Sequence, residues 1–84
     1  MGKYGKLAGR ILQGASDANI GFDDLRSFMH HLGFEERIRG SHHIFRKLGI
    51  DEKVNLQRDG AKAKSYQVRQ VRTLLLKYRM TGDE

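Results

Sequence analysis

The sequence predicts an α+β fold: an α-β-β-β-α unit with a three-stranded antiparallel sheet, two helices on one face of that sheet, and an extra N-terminal helix. Three observations support this prediction. Apolar residues recur at helical spacing in three segments, and they recur at steps of two in three short segments that lie between the second and third helices. Turns that contain glycine separate most of these segments.

Composition limits the chain to one domain and points to an anionic partner. Its 84 residues include neither proline nor cysteine, so one core must hold the fold without disulfides or a thiolate zinc site. Sixteen Lys and Arg residues against ten Asp and Glu residues give a formal charge of +6, which favours polyanions. Neither a membrane span nor a signal-peptide pattern is recognisable, so we expect a cytoplasmic location and no membrane partner.

The first predicted helix covers residues 3–13, where Leu7 and Ile11 lie four positions apart among basic residues. Residues 14–21 are rich in Gly, Ser, Asp and Asn, which is typical of a connector. The chain is accordingly divided into three predicted parts: an N-terminal helical extension and connector at 1–21, the main domain at 22–80, and a tail at 81–84.

The second predicted helix begins at Phe22, because the apolar residues at positions 22, 25, 28, 29 and 32 share one side of a helix. Gly33 ends it, since glycine readily takes the left-handed conformation found after a helix C-terminus. The apolar period then changes to two over residues 34–39, which predicts the first strand.

Gly40 and Ser41 form a predicted turn into a second strand over residues 42–47. Neighbouring strand residues point to opposite sides. If Phe45 faces the core, His43 shares its side. The residues predicted on the opposite, open side are His42, Ile44 and Arg46.

A third strand is predicted at residues 54–57, a basic loop at 58–64, and a last helix at 65–78 with Ser65 as its N-cap. Lys62 and Lys64 precede that helix. Their ammonium groups, the first backbone N–H groups and the helix dipole would converge on a phosphate-sized volume. A solvated charge cluster is the alternative interpretation.

The element order resembles the double-stranded-RNA-binding fold, whose RNA contacts fall largely on phosphates and 2′-hydroxyls. A more specific resemblance rests on Leu32-Gly33-Phe34 and on Arg39-Gly40-Ser41-His42-His43-Ile44-Phe45. With Asn55-Leu56-Gln57 and the run from Lys64 to Arg72, these segments look like the HicA family of toxin endoribonucleases over roughly residues 22–78.

The resemblance implies an enzyme that cleaves mRNA, is inhibited by a HicB-type antitoxin, and uses the histidine of the Gly-Ser-His motif, here His42. Many family members carry a Pro-x-His segment at or after the third strand. This chain has no proline and no histidine beyond His43. Tyr66, Gln67 or Arg69, at the start of the last helix, are the candidates to supply contacts in its place.

A single histidine is consistent with ribonuclease chemistry. Imidazole exchanges protons near neutral pH, and RNA supplies its own nucleophile in the 2′-hydroxyl, so no cofactor or metal is expected. His42 and His43 would point to opposite faces, which also argues against a shared metal site. The residues predicted to bind RNA are Arg39, Ser41, Arg46, Lys62 and Lys64; those predicted to be structural or auxiliary are Gly40, His43, Tyr66, Gln67 and Arg69.

Other interpretations of the same residues remain open. His42 alone would more often be an exposed polar turn residue, and the chain would then be a non-catalytic RNA-binding module or an inactive partner-binding domain. His43 is predicted to be packed or hydrogen-bonded inside the protein. Arg26, Arg69 and Arg72 suit either antitoxin binding or surface solubility. We expect a monomeric free toxin that forms a hetero-oligomer with its antitoxin.

Overall fold

A computed structural model describes residues 2–80 and confirms the α+β class. Within that range the chain forms three α-helices and five strands: α1 (Lys3–Gln13), α2 (Phe22–His31), β1 (Glu35–Arg39), β2 (His42–Arg46), β3 (Val54–Leu56), β4 (Arg58–Asp59), β5 (Lys62–Ala63) and α3 (Ser65–Lys77). The main sheet is antiparallel with the order β1-β2-β3. The predicted tail, 81–84, lies outside the described residues. Across residues 2–80, no helix has both the length and the apolar character needed to cross a membrane.

The helices α2 and α3 cover one side of the main sheet, here called the inner face. From this face Phe45 and Leu56, each 0% exposed, enter the core. The ring of Phe22 in α2 meets His43 edge-on at 4.9 Å between centroids, and α3 contributes the fully buried Val71. The other side of the sheet is here called the outer face. It carries the alternate residues of the same strands: Glu35, Arg37, Arg39, His42, Ile44, Arg46 and Asn55.

Helix α1 belongs to the same core as the rest of the chain. Leu7, Ala8 and Ile11 are buried in the cluster that contains the core residues of α2 and α3. The predicted N-terminal extension therefore has no separate core, because the apolar side of α1 finds its partner surface on the other two helices.

Arg72 of α3 binds the connector, residues 14–21, through its side chain. Its guanidinium donates to both carboxylate oxygens of Asp17, at 2.9 and 3.0 Å, and to the carbonyl oxygen of Ile11 at 3.0 Å. The hydrogen bond from Arg72 lowers the pKa of Asp17. Arg72 is thus committed to an internal ion pair, which supports neither of the surface roles that the sequence suggested for it.

The segment 58–64, predicted as a loop, contains a two-stranded hairpin formed by β4 and β5. The hairpin is joined to the start of α2, since the backbone N–H of Phe22 donates to Ala61 at 3.0 Å and that of Ala63 donates to Ile20 at 2.9 Å. The two loop residues of this hairpin are Gly60, whose φ is 63°, and Ala61, between the paired residues Asp59 and Lys62.

The N-cap of α3 is Lys64 rather than Ser65. Lys64 has extended backbone angles, φ −67° and ψ 136°, and its side chain makes no capping hydrogen bond. Ser65 is already the first helical residue.

The prediction that Gly33 ends α2 is confirmed. Its φ is 95°, and its N–H donates to the carbonyl oxygen of His30 at 3.0 Å after α2 ends.

A carboxylate on the inner face joins α2 to the sheet. The side chain of Glu36 is 7% exposed and accepts two hydrogen bonds from Arg26, both at 2.8 Å. It also contacts His30 Nε2 at 2.9 Å and His43 Nδ1 at 2.6 Å. These partners, Arg26 above all, lower the pKa of Glu36 to about 2. Arg26 is therefore part of the fold's internal ion-pair network.

Candidate functional site

The outer face of the sheet gathers the predicted catalytic histidine and three arginines. Strand pairing places Arg39 opposite His42, Arg37 opposite Ile44, and Glu35 opposite Arg46. In the third strand, Asn55 lies opposite Ile44. Because side chains alternate along a strand, these side chains share one face.

His42 is exposed on this face, immediately after the turn formed by Gly40 and Ser41. Gly40 has a φ of 58°, the left-handed value that glycine tolerates at the first position of a two-residue hairpin turn. The tight turn sets His42 directly across from Arg39. The hairpin thus fixes an imidazole and a guanidinium as cross-strand neighbours.

Asn55 orients the ring of His42. Its Oδ1 lies 3.3 Å from His42 Nδ1. An amide oxygen only accepts hydrogen bonds, so the contact requires the proton of the neutral ring to reside on Nδ1. His42 Nε2 is then left with an available lone pair, which is the arrangement that a proton acceptor needs.

Replacing Asn55 with leucine should remove the preference of the neutral His42 ring for the Nδ1-protonated form. Nitrogen-15 NMR, recorded where imidazoles are neutral, should show mainly the Nδ1-protonated form of His42 in the unchanged protein and a smaller fraction of it in Asn55→Leu. The rings of His30 and His43 contact Glu36 instead and serve as internal controls. An unchanged tautomer ratio at His42 would show that Asn55 does not orient the ring.

The arginines of the outer face differ in their ion pairing from the arginines that stabilise the fold. Within residues 2–80, no ion pair forms at Arg37, Arg39 or Arg46, whereas Arg26 and Arg72 are each paired with a carboxylate. Unpaired guanidinium groups on one face produce a positive field that attracts anions. The outer face therefore suits a polyanionic ligand.

Gln57 connects the turn formed by Gly40 and Ser41 to the start of α3. Its Nε2 donates to Ser41 Oγ at 3.3 Å, and its Oε1 lies 3.5 Å from the ammonium of Lys64. Its backbone N–H donates to Gln67 Oε1 at 2.7 Å. Gln67 is 2% exposed, so its amide supports the end of β3. These contacts bring Ser41 and Lys64 to the end of the sheet where His42 lies.

The remaining predicted residues are placed elsewhere. Lys62 donates to Asn19 Oδ1 at 2.8 Å, so its ammonium is held by the connector. Arg46 is at the opposite end of β2 from His42. Tyr66, 45% exposed, and the exposed Arg69 lie in the first turns of α3. The two lysines that were expected to share one phosphate thus have different hydrogen-bond partners.

Arg37 is not among the site residues that the sequence predicted, and Asn55 and Gln57 entered only as part of the Asn55-Leu56-Gln57 resemblance, without a site role. The strand alternation that assigned His42 to the open side would have assigned Arg37 to it as well, once the strand register was known. The position of Asn55 beside His42 depends on the pairing of β2 with β3. No sequence pattern predicts the contacts of Gln57, because its three partners are a turn residue, the N-cap of α3 and a residue inside α3.

No family model, curated protein or solved structure matches this chain. In the described range, 2–80, no three His, Asp or Glu side chains are grouped so as to hold a metal ion. Among the described residues, the outer face with His42 is the strongest candidate for a functional site.

Proposed function

We propose that this chain is a metal-independent endoribonuclease of the HicA toxin type, with His42 as its catalytic residue. The observation that carries the proposal is the exposed His42 imidazole, oriented through Nδ1 by Asn55, with Arg39 as its cross-strand neighbour. Within residues 2–80, Arg39 forms no ion pair. The resemblance of residues 39–45 to the HicA signature supports it independently. The finer fold assignment, a double-stranded-RNA-binding-like unit, belongs to the same proposal.

The proposed reaction uses a nucleophile that RNA supplies. His42 Nε2 accepts the proton of a 2′-hydroxyl, and the resulting oxygen attacks the adjacent phosphorus. A P–O2′ bond forms as the P–O5′ bond breaks, and the leaving 5′ oxygen takes a proton from water. The hydroxide formed then removes the proton from the His42 imidazolium, which restores the neutral ring and the water. The products are a 2′,3′-cyclic phosphate and a 5′-hydroxyl. General base catalysis of this kind contributes about 10²-fold to 10⁴-fold to the rate.

Neighbouring groups would neutralise the phosphate. Arg39 lies across the strand pair from His42, and Lys64 is joined to the turn through Gln57 and Ser41. A guanidinium matches two phosphate oxygens, while an ammonium acts as a point charge. We assign the first role to Arg39 and the second to Lys64; Arg46 would bind the RNA backbone further along the outer face.

The proposal includes a protein partner. A free monomeric toxin in the cytoplasm would be kept inactive by a HicB-type antitoxin in a hetero-oligomer. Expression of the chain alone should then arrest growth, and co-expression of the product of a neighbouring gene should relieve the arrest. Growth without arrest, at an expression level confirmed by immunoblotting, would contradict the toxin assignment.

A 2′-deoxy substitution tests the chemistry directly. The protein should cleave an RNA oligonucleotide but leave intact the same oligonucleotide carrying a single 2′-deoxy sugar at the position of cleavage, because the nucleophile is then missing. Both oligonucleotides should bind equally, since only one hydroxyl differs. The products should carry 2′,3′-cyclic phosphate ends, identified by mass spectrometry.

Two results would reject this assignment. Cleavage of the 2′-deoxy oligonucleotide at the same position would exclude attack by the 2′-hydroxyl. Binding of both oligonucleotides without cleavage of either would identify the chain as a non-catalytic RNA-binding module of the same fold.

A further inference from the structure

A groove of about 430 Å³ lies on the outer face, and Arg39, the cross-strand neighbour of His42, is one of the residues that line it. The residues that line it come from all three strands or their ends: Glu35, Glu36, Arg37, Arg39, Ile44, Arg46 and Lys53. The carboxylate of Glu36 itself contacts Arg26 and His43 on the inner face. Its volume falls in the range of small-ligand clefts. Ile44 is two residues from His42 on the same strand and the same face, which separates them by roughly 6.6 Å along the strand.

Ile44 gives this groove an apolar floor. It is the one apolar residue among those that line the groove, and its side chain is half-buried. Its cross-strand neighbours are Arg37 and Asn55. An isoleucine at the centre of a charged surface gains little from core packing, because the core lies on the other side of the sheet.

Four basic residues line the groove around Ile44: Arg37, Arg39, Arg46 and Lys53. Like the three arginines of the outer face, Lys53 forms no ion pair within residues 2–80. A guanidinium plane stacks well on a flat heterocycle, and the positive charges attract the phosphates on either side of it. The carboxylate of Glu35 would accept hydrogen bonds from the amino group of a base, whereas it would repel an acidic peptide.

We propose that this groove is a nucleobase subsite for single-stranded RNA, in which one base lies on Ile44 while its neighbouring phosphate reaches His42. The inference rests on the proposed function, because it takes RNA as the ligand and His42 as the catalytic residue. The bases of a duplex are paired and stacked, so only an unpaired base can enter. The groove therefore selects unpaired segments and fixes which phosphate is cleaved.

Ile44→Ala tests the subsite, and Ile38→Ala is its matched control. Ile38 is another isoleucine of the sheet, 55% exposed, but it belongs to the inner-face side of β1, opposite His43. Fluorescence anisotropy with a fully 2′-O-methylated octanucleotide measures binding without cleavage. Because methyl groups that contact the base are removed, Ile44→Ala should weaken single-strand binding about tenfold. Binding of the same strand annealed to its complement should not change, and Ile38→Ala should affect neither ligand. Circular dichroism and thermal unfolding establish that both variants are folded.

Each other outcome is decisive. Equal weakening of single-strand and duplex binding, or no weakening of either, would reject the base subsite. An octaglutamate peptide that competes with the single strand, and whose affinity falls in parallel in Ile44→Ala, would assign the groove to an acidic protein segment. The methylated strand cannot be cleaved, so the binding assay tests the subsite even if the protein has no nuclease activity. Conversely, unchanged binding together with His42-dependent cleavage would reject only the subsite.

Discussion

His42→Ala is expected to lower the rate of RNA cleavage by at least about 100-fold, the lower end of what a positioned general base contributes. The loss should appear in the cleavage step, because no other imidazole lies on the outer face in the described part of the chain. The measurement is a single-turnover assay with a labelled oligonucleotide, using protein purified from a strain that lacks contaminating ribonuclease.

The variant should fold and bind RNA as the unchanged protein does. His42 is exposed, and its side-chain hydrogen bond is to Asn55, which is exposed as well. His31→Ala is a suitable control: this exposed histidine stacks on Tyr4 in the helical layer, away from the outer face. Full cleavage by His42→Ala would reject the catalytic assignment, and an equal loss in both variants would point to a general effect on the protein.

Glu36→Gln is expected to destabilise the fold by about 3 kcal/mol at pH 7, as measured by urea denaturation. The pKa of this buried carboxyl falls from 4.5 to about 2 in the folded chain, and each pKa unit corresponds to about 1.4 kcal/mol. Removing one partner of a buried ion pair typically costs about 3–5 kcal/mol. The two arguments agree, because Arg26 and two histidines lose their anionic partner together.

The effect should depend on pH in a defined direction. A carboxyl whose pKa is depressed by folding stabilises the protein above its unfolded pKa, and it loses this contribution as the pH falls through the folded pKa. The stability difference between the unchanged protein and Glu36→Gln should therefore be full above pH 5 and should vanish towards pH 2. Glu52, whose pKa is also lowered to about 2, titrates in both proteins and cancels.

Glu35→Gln provides the matched control for stability. Glu35 is the preceding residue on β1, but it is exposed on the outer face and forms no ion pair within residues 2–80. Its replacement should change the stability by less than about 0.5 kcal/mol, as is usual for surface positions. A pH-independent difference for Glu36→Gln would show that packing, and not charge, makes Glu36 important.

Periodicity predicted most of the backbone arrangement. The helix of residues 3–13 has the predicted bounds, and the three main strands differ from their predicted ends by one residue. The prediction was wrong for the hairpin at 58–63, because only two residues form each strand and such short segments show no alternation. It was also wrong for the cap at Ser65, since a capping residue must adopt extended backbone angles and Lys64 does so instead.

The sequence by itself determined the fold class, the side of the sheet on which His42 lies, and the turn that presents it, because alternation and glycine conformation are local properties. Only the tertiary structure decided what surrounds that side chain. The pairing of three strands sets Asn55, Arg39 and the Ile44 groove around His42, and helix docking commits Arg26 and Arg72 to internal carboxylates. These relations join residues that are distant in the chain, so they exist only once the core brings the elements together.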